Sequence, residues 1–130
     1  MYMTRKRFLF LVLTTLMIGA CQPNQSGAAA AVETYIQALV DENQDALTMS
    51  SCADWEESAV MELDAFIGVS ATVEDMACEV SGEDGDAVLV TCSGNIEATY
   101  NNEDRQLPLN TRSYRVVNEQ GNWLVCGYGE

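Results

Sequence analysis

The chain has 130 residues, 20 acidic side chains against six basic ones, no histidine and a net charge of −14. That balance excludes nucleic-acid binding, which needs a basic surface to neutralise phosphates, and electrostatic attachment to anionic lipid headgroups. Without histidine the commonest general base near neutral pH and the commonest zinc ligand are both gone.

At the start, Arg5, Lys6 and Arg7 precede an almost wholly apolar run, Phe8–Met17, which closes on Ile18-Gly19-Ala20-Cys21. A basic stretch, a short apolar run and small residues form the order of a secretory signal peptide. Phe8–Ala20 spans 13 residues, short of the ~20 a transmembrane helix needs. The ending resembles the lipobox of bacterial lipoproteins. That resemblance implies cleavage before Cys21, a diacylglycerol on its thiol, and a protein held by lipid on the extracytoplasmic face of a membrane in the cell envelope. In Gram-negative lipoproteins an Asp after the cysteine favours the inner membrane, so Gln22 permits outer-membrane sorting. Cysteine arithmetic agrees: acylating Cys21 leaves Cys52, Cys78, Cys92 and Cys126, an even set for two disulfides. Without residues 1–20 the chain is 110 residues long, one small domain. It then keeps Arg105, Arg112 and Arg115 against all 20 acidic side chains, a net charge of −17. Such a surface keeps a domain soluble and dispersed, and leaves positively charged partners open.

Gln22–Gly27 is polar with Pro and Gly, and reads as a tether of about 20 Å at full stretch; the domain proper is then 28–130. Ala28–Glu42 reads as an amphipathic helix, because Val32, Tyr35, Ile36, Leu39 and Val40 fall on one stripe. Asp45-Ala46-Leu47 begins a short second helix. Ser51–Ile67 reads as a third, with Asp54 and Glu57 spaced as a capping box and Trp55, Ala59, Leu63, Phe66 and Ile67 as its apolar stripe.

Four segments then alternate like strands: Thr72–Val80, Ala87–Tyr100, Gln106–Val117 and Trp123–Tyr128. In the second, Val88, Val90, Cys92 and Ile96 share the apolar face. A hairpin centred on Gly85 sets Cys78 opposite Cys92, Met76 opposite Gly94 and Val80 opposite Val90, at a spacing that suits a disulfide. A three-residue loop around Gln120 sets Tyr114 opposite Cys126 and Val116 opposite Leu124. Leu124, Cys126 and Tyr128 then face the helices, within reach of Cys52. A turn at Asn102-Glu103 pairs Ala98 with Leu107 and Ile96 with Leu109. The two outer hairpins demand opposite parity in the third strand, so a bulge is expected between Asn110 and Arg112. Cys78–Cys92 and Cys52–Cys126 are the pairings favoured, although four cysteines allow three connectivities. No C-x-x-C pair offers a metal site, and Glu83-Asp84-Gly85-Asp86 lacks the spaced ligands of a calcium loop and reads as a turn.

Helices followed by an antiparallel meander make an α+β domain. Ala31-Val32-Glu33-Thr34-Tyr35-Ile36-Gln37-Ala38-Leu39-Val40, then Gln44-Asp45-Ala46-Leu47, resembles the opening helices of small NTF2-like lipoproteins. Tyr114–Tyr128, a strand, a Gly turn and an aromatic-led strand, resembles their last hairpin. The resemblance implies N-terminal helices packed on a curved four-stranded antiparallel sheet, forming a cone whose open end holds a pocket. In that fold, isomerases and dehydratases use an inward carboxylate with a neutral donor, or a His–Asp pair.

Histidine is missing, and Asp75, Glu79 and Glu97 fall on the outward faces of their strands, so neither catalysis nor a cofactor is expected. A binding or scaffold domain of unknown ligand is the favoured reading, with a protein or small-molecule partner. A small isomerase- or dehydratase-type enzyme and a carrier of hydrophobic ligands are the alternatives. Candidate pocket residues are Tyr35, Trp55, Tyr100, Arg112, Tyr114 and Trp123, with Tyr128 beside them. The same aromatics filling the cone solidly is favoured over an open pocket, because a small domain needs their burial.

Overall fold

The computed structural model describes residues 24–130; the signal segment 1–20, Cys21 and Gln22 lie outside the described residues. Three helices come first: α1 (Ser26–Val40), α2 (Gln44–Met49) and α3 (Glu56–Asp64). Five antiparallel strands follow: β1 (Ser70–Asp84), β2 (Ala87–Tyr100), β3 (Glu103–Pro108), β4 (Ser113–Glu119) and β5 (Asn122–Tyr128). They form one sheet in which β2 is central: β1 lies along one side, and β3 and β4 share the other, with β5 beyond β4. The sheet curves around α1. Val32, Tyr35, Ile36 and Leu39 of the helix are buried against Val88, Val90 and Ile96 of β2, Tyr114 and Val116 of β4, and Val125 of β5.

Five strands replace the four expected, because the third candidate breaks. Pro108 has no N–H to extend the ladder, and Leu109–Thr111 forms a 3-10 turn in place of the bulge. Thr111 Oγ1 closes the turn by donating to the Pro108 carbonyl at 3.2 Å. The turn performs the expected parity change, leaving Leu107 and Leu109 of the first half and Tyr114 and Val116 of the second facing the interior side.

Two hairpins turn in another register than expected. Asn101 and Asn102, with φ of 50° and 63°, form a two-residue turn that sets Ile96 opposite Leu107. Asparagine tolerates the left-handed region, so the turn settles one residue earlier than the sequence reading placed it. Gln120 and Gly121, with φ of 54° and 88°, do the same between β4 and β5. Val116 therefore faces Val125, not Leu124, and Val125 becomes the buried residue. A second irregularity between Tyr114 and Val116 returns Tyr128 opposite Tyr114.

In the first hairpin Cys78 faces Cys92 and Val80 faces Val90. Met76 does not pair with Gly94, because β1 bulges between Glu74 and Ala77. The bulge rests on Gly94: at φ 99°, a Cβ there would meet the Glu74 and Asp75 carbonyl oxygens at 2.5 and 2.6 Å. Gly94→Ala is expected to cost roughly 2–4 kcal/mol, backbone strain and overlap combined. Chemical denaturation checks this, and a loss under about 0.5 kcal/mol, the range of an indifferent surface change, would contradict the bulge.

The third helix is shorter than expected. Ser51 and Cys52, its expected first residues, instead run with Ser50 beside β5: the Val125 N–H donates to the Ser50 carbonyl at 2.8 Å, and the Cys52 N–H to the Val125 carbonyl at 2.9 Å. No capping box forms; Trp55 occupies the cap position without a side-chain bond. Cys52 bonds to Cys126 along this sheet edge (Cα–Cα 5.3 Å), and Cys78 to Cys92 across the first hairpin (4.0 Å). At the N-terminus, α1 begins at Ser26, two residues before the helix expected. Trp123 Nε1 donates to the Asn24 carbonyl at 3.1 Å, and a Cβ on Gly27 would fall 2.5 Å from the Trp123 ring. Residues 24–27 are thus bound to the fold instead of serving as tether.

Candidate functional site

The open end of the cone is built from the inner face of α3. Trp55, Ala59, Glu62 and Phe66 recur at i, i+4, i+7 and i+11, so they point the same way. Opposite them stand Leu39 at the end of α1, Ile96 of β2, Leu107 and Leu109 around the 3-10 turn, and Arg112, Tyr114 and Tyr128. With Glu62 and Phe66, these residues line a mainly apolar, open hollow of about 410 Å³, within the range of small-ligand sites. The aromatics do not fill the cone completely: Tyr35 and Tyr114 are buried beneath this hollow, and its mouth stays open.

Glu62 is the polar centre. Tyr35 donates its phenol to Glu62 Oε2 at 3.0 Å, and Tyr128 donates to Oε1 at 2.5 Å. Trp55 Nε1 donates in turn to the Tyr35 oxygen at 3.1 Å, so the Tyr35 proton is directed at the carboxylate. Tyr35 meets Tyr114 edge-on at 6.1 Å and Trp55 meets Tyr128 edge-on at 5.5 Å, while Tyr114 is tilted against Tyr128 at 5.3 Å.

Burial pushes all three phenols above the ordinary tyrosine value. Tyr114 is raised to about 12, by burial first and then by the Glu62 charge, against the pull of Arg112. Tyr35 and Tyr128 go further up, where Glu62 also accepts their protons. All three are neutral donors near pH 7. Unfolded tyrosines ionise near pH 10, whereas the folded ones hold their protons. The unfolded state thus binds fewer protons above pH 10, and stability must fall as pH rises from 10 towards 12. Urea melts at pH 8, 10 and 11 should show this fall, shallower in Tyr114→Phe; a flat profile would contradict the buried donors.

Arg112 sits at the mouth, its guanidinium 4.5 Å above the Tyr128 ring. Burial draws its pKa down, Tyr128, Tyr114 and Glu62 draw it up, and the net shift is upward. Arg105 pairs with Glu103 at 3.5 Å and Arg115 with Asp84 at 3.2 Å. Among the described residues Arg112 makes no salt bridge.

Of the residues singled out from sequence, Tyr35, Trp55, Arg112 and Tyr114 come together here with Tyr128. Tyr100 and Trp123 do not. Tyr100 lies where β2 runs beyond the core and is 57 % exposed. Trp123 packs on Gly27 near the opposite end of α1. Sequence reasoning missed Glu62, because the search for an inward carboxylate was confined to the strands. There the expectation of outward carboxylates fits what is seen: Asp75 and Glu79 are exposed, and Glu97 Oε1 accepts from Gln106 across the strands. The available signal was one acidic residue on the α3 stripe.

No family model matches the sequence, and no curated protein matches it. Solved structures do. A ketosteroid isomerase-like protein from Erwinia carotovora atroseptica matches with TM-score 0.53 at 17% identity, over 78% of this chain and 92% of that one. An LEH-like epoxide hydrolase of M. tuberculosis matches with TM-score 0.52 at 17% identity, over 82% and 81%. A candidate polyketide cyclase from Xanthomonas campestris pv. campestris matches with TM-score 0.53 at 12% identity, over 78% and 90%. At these identities the likeness carries the fold alone, which is the NTF2-like α+β cone; fold by itself does not choose a chemistry.

Proposed function

We propose that this NTF2-like domain is a lipoprotein, acylated at Cys21 and held outside the cytoplasm, that binds a small, mainly apolar ligand carrying an anionic end. The observation that carries the ligand is Arg112. In a mature chain of net charge −17, the arginine without a salt bridge stands at the mouth of an apolar hollow of about 410 Å³. Phe66, Ile96, Leu107 and Leu109 would take the apolar body, and Arg112 with the Tyr114 hydroxyl the anionic group. Support for the address is the signal-like N-terminus and two disulfides, which fit an oxidising compartment.

The test uses soluble Cys21→Ala protein exported to an oxidising compartment, titrated with decanoate and with decyltrimethylammonium. Decanoate alone should bind, and Arg112→Gln should weaken it about tenfold, near 1.4 kcal/mol. Equal binding of the cation, or decanoate binding indifferent to Arg112→Gln, would refute the reading.

One observation favours a catalytic second reading: Glu62 is an inward carboxylate beside neutral phenol donors, in a fold shared with an epoxide hydrolase and a ketosteroid isomerase-like protein. Both Glu62 oxygens already accept phenol protons, so a base at this position would have to give up one donor to take a substrate proton. Enzyme-dependent exchange of ketone α-protons in D2O, abolished in Glu62→Gln, would favour this reading over simple binding.

A further inference from the structure

Residues 24–32, 46–53 and 120–129 are three of the stretches without charge in this strongly acidic chain. The fold gathers them on one face. Trp123 Nε1 holds the Asn24 carbonyl at 3.1 Å, Gly27 lies against the Trp123 ring, and the Val125 N–H holds the Ser50 carbonyl at 2.8 Å. Between them runs a shallow groove walled by Ala30, Ala31, Met49, Trp123 and Leu124, with Glu119 the one charged residue along it. Met49 at its edge is 80 % exposed, the most exposed large apolar side chain among the described residues.

We propose that this face rests on the headgroup layer of the phospholipid bilayer, a proposal that rests on acylation of Cys21. Two arguments select that occupant. The first is reach. Only three Cα–Cα steps separate Cys21 from Asn24, at most about 11 Å, and Asn24 is fixed to the fold by Trp123. The lipid surface therefore lies close to whichever face carries Asn24, and that face is the groove whose one charged residue is Glu119. The second is charge. Glu74, Asp75, Glu79, Glu83 and Asp84 crowd β1, and Glu56, Glu57 and Asp64 stud α3. Turning either towards anionic headgroups is unfavourable. The groove face, with Glu119 its one charge, largely avoids that repulsion and presents an indole, a side chain suited to the membrane–water boundary.

The ligand hollow lies towards the other end of α1. It is lined by Leu39, twelve residues along α1 from Gly27 and so about 18 Å away along the helix. Docked in this way, the domain opens its hollow to the aqueous compartment, not to the lipid.

The chain has two tryptophans, Trp123 on the docking face and Trp55 bonded to Tyr35 beside the ligand hollow, and this makes the test direct. Mature lipoprotein is placed in vesicles of dioleoylphosphatidylcholine or of its brominated form. In Trp55→Phe, the remaining Trp123 emission should be quenched by at least about twofold in brominated vesicles, as expected for an indole at the interface. In Trp123→Phe, the remaining Trp55 emission should be unchanged. Adding Met49→Asp to Trp55→Phe should relieve the quenching; Met49 is too exposed for that change to unfold the domain. Intact mass is recorded on the same samples. Acylated Cys21 with Trp123 unquenched, or with both indoles quenched alike, overturns the docking and leaves the anchor standing. So does a concentration-dependent dimer that shields Trp123. An unmodified Cys21 overturns the anchor and the docking together.

Discussion

Replacing Glu62 with leucine should cost about 3 kcal/mol of stability, measured by chemical denaturation. The side chain is half-buried and its two oxygens hold the Tyr35 and Tyr128 phenols. Leucine leaves both donors without an acceptor in a mainly apolar hollow, and an orphaned donor costs about 1–3 kcal/mol. Glu62→Gln keeps one acceptor oxygen and turns an amide N–H₂ towards a phenol, so it should cost less, roughly 1–2 kcal/mol. The diagnostic comparison is the triple change Glu62→Leu, Tyr35→Phe, Tyr128→Phe. With the orphaned hydroxyls gone, it should be less damaging than Glu62→Leu alone. If the triple change is worse by the sum of its parts, the carboxylate and the phenols do not act as a unit.

The second large effect concerns the two disulfides, which should be unequal. Cys52–Cys126 joins residues 74 apart, and Cys78–Cys92 residues 14 apart. In the chain-entropy account the first contributes about 4.5 kcal/mol and the second about 3. Either is a large part of the 5–15 kcal/mol that a whole domain commands. Cys52→Ser with Cys126→Ser should therefore be the more harmful pair. It should also release residues 50–52 from β5, seen as faster amide exchange at position 52 and at Val125, whose N–H groups join the two segments. Cys78→Ser with Cys92→Ser leaves those bonds intact, since β1 and β2 stay paired along most of their length. The reverse order of stabilities would contradict this account.

Much of the fold was legible because local pattern and tertiary demand agree. The alternation of Val88, Val90, Cys92 and Ile96 named the buried face of β2, and the stripe on α1 named its partner. The Gly85 turn placed Cys78 opposite Cys92. Details decided by long-range pairing were not legible. Ser50–Cys52 has nothing strand-like in it; it is extended because Val125 offers both a donor and an acceptor. Asn-Asn and Gln-Gly turns accept left-handed residues at more than one place, so the first settled one residue earlier and the second one residue tighter than expected. The candidate site was half legible. Tyr35, Trp55 and Tyr114 declare themselves as aromatics on inward faces. Arg112 reaches the mouth only because a 3-10 turn precedes it. Glu62 was hidden by the habit of reading a helical charge as solvated, although its spacing from Trp55, Ala59 and Phe66 put it on the apolar stripe.

The proposed ligand binding rests on that half-buried polar centre and the arginine above it. Native mass spectrometry of the protein taken from its own envelope tests this most directly. The account predicts a chain that begins at an acylated Cys21, with four cysteines oxidised and a small apolar acid retained non-covalently, absent from Arg112→Gln. A bare chain from the same membranes that also takes up no decanoate on titration would contradict it.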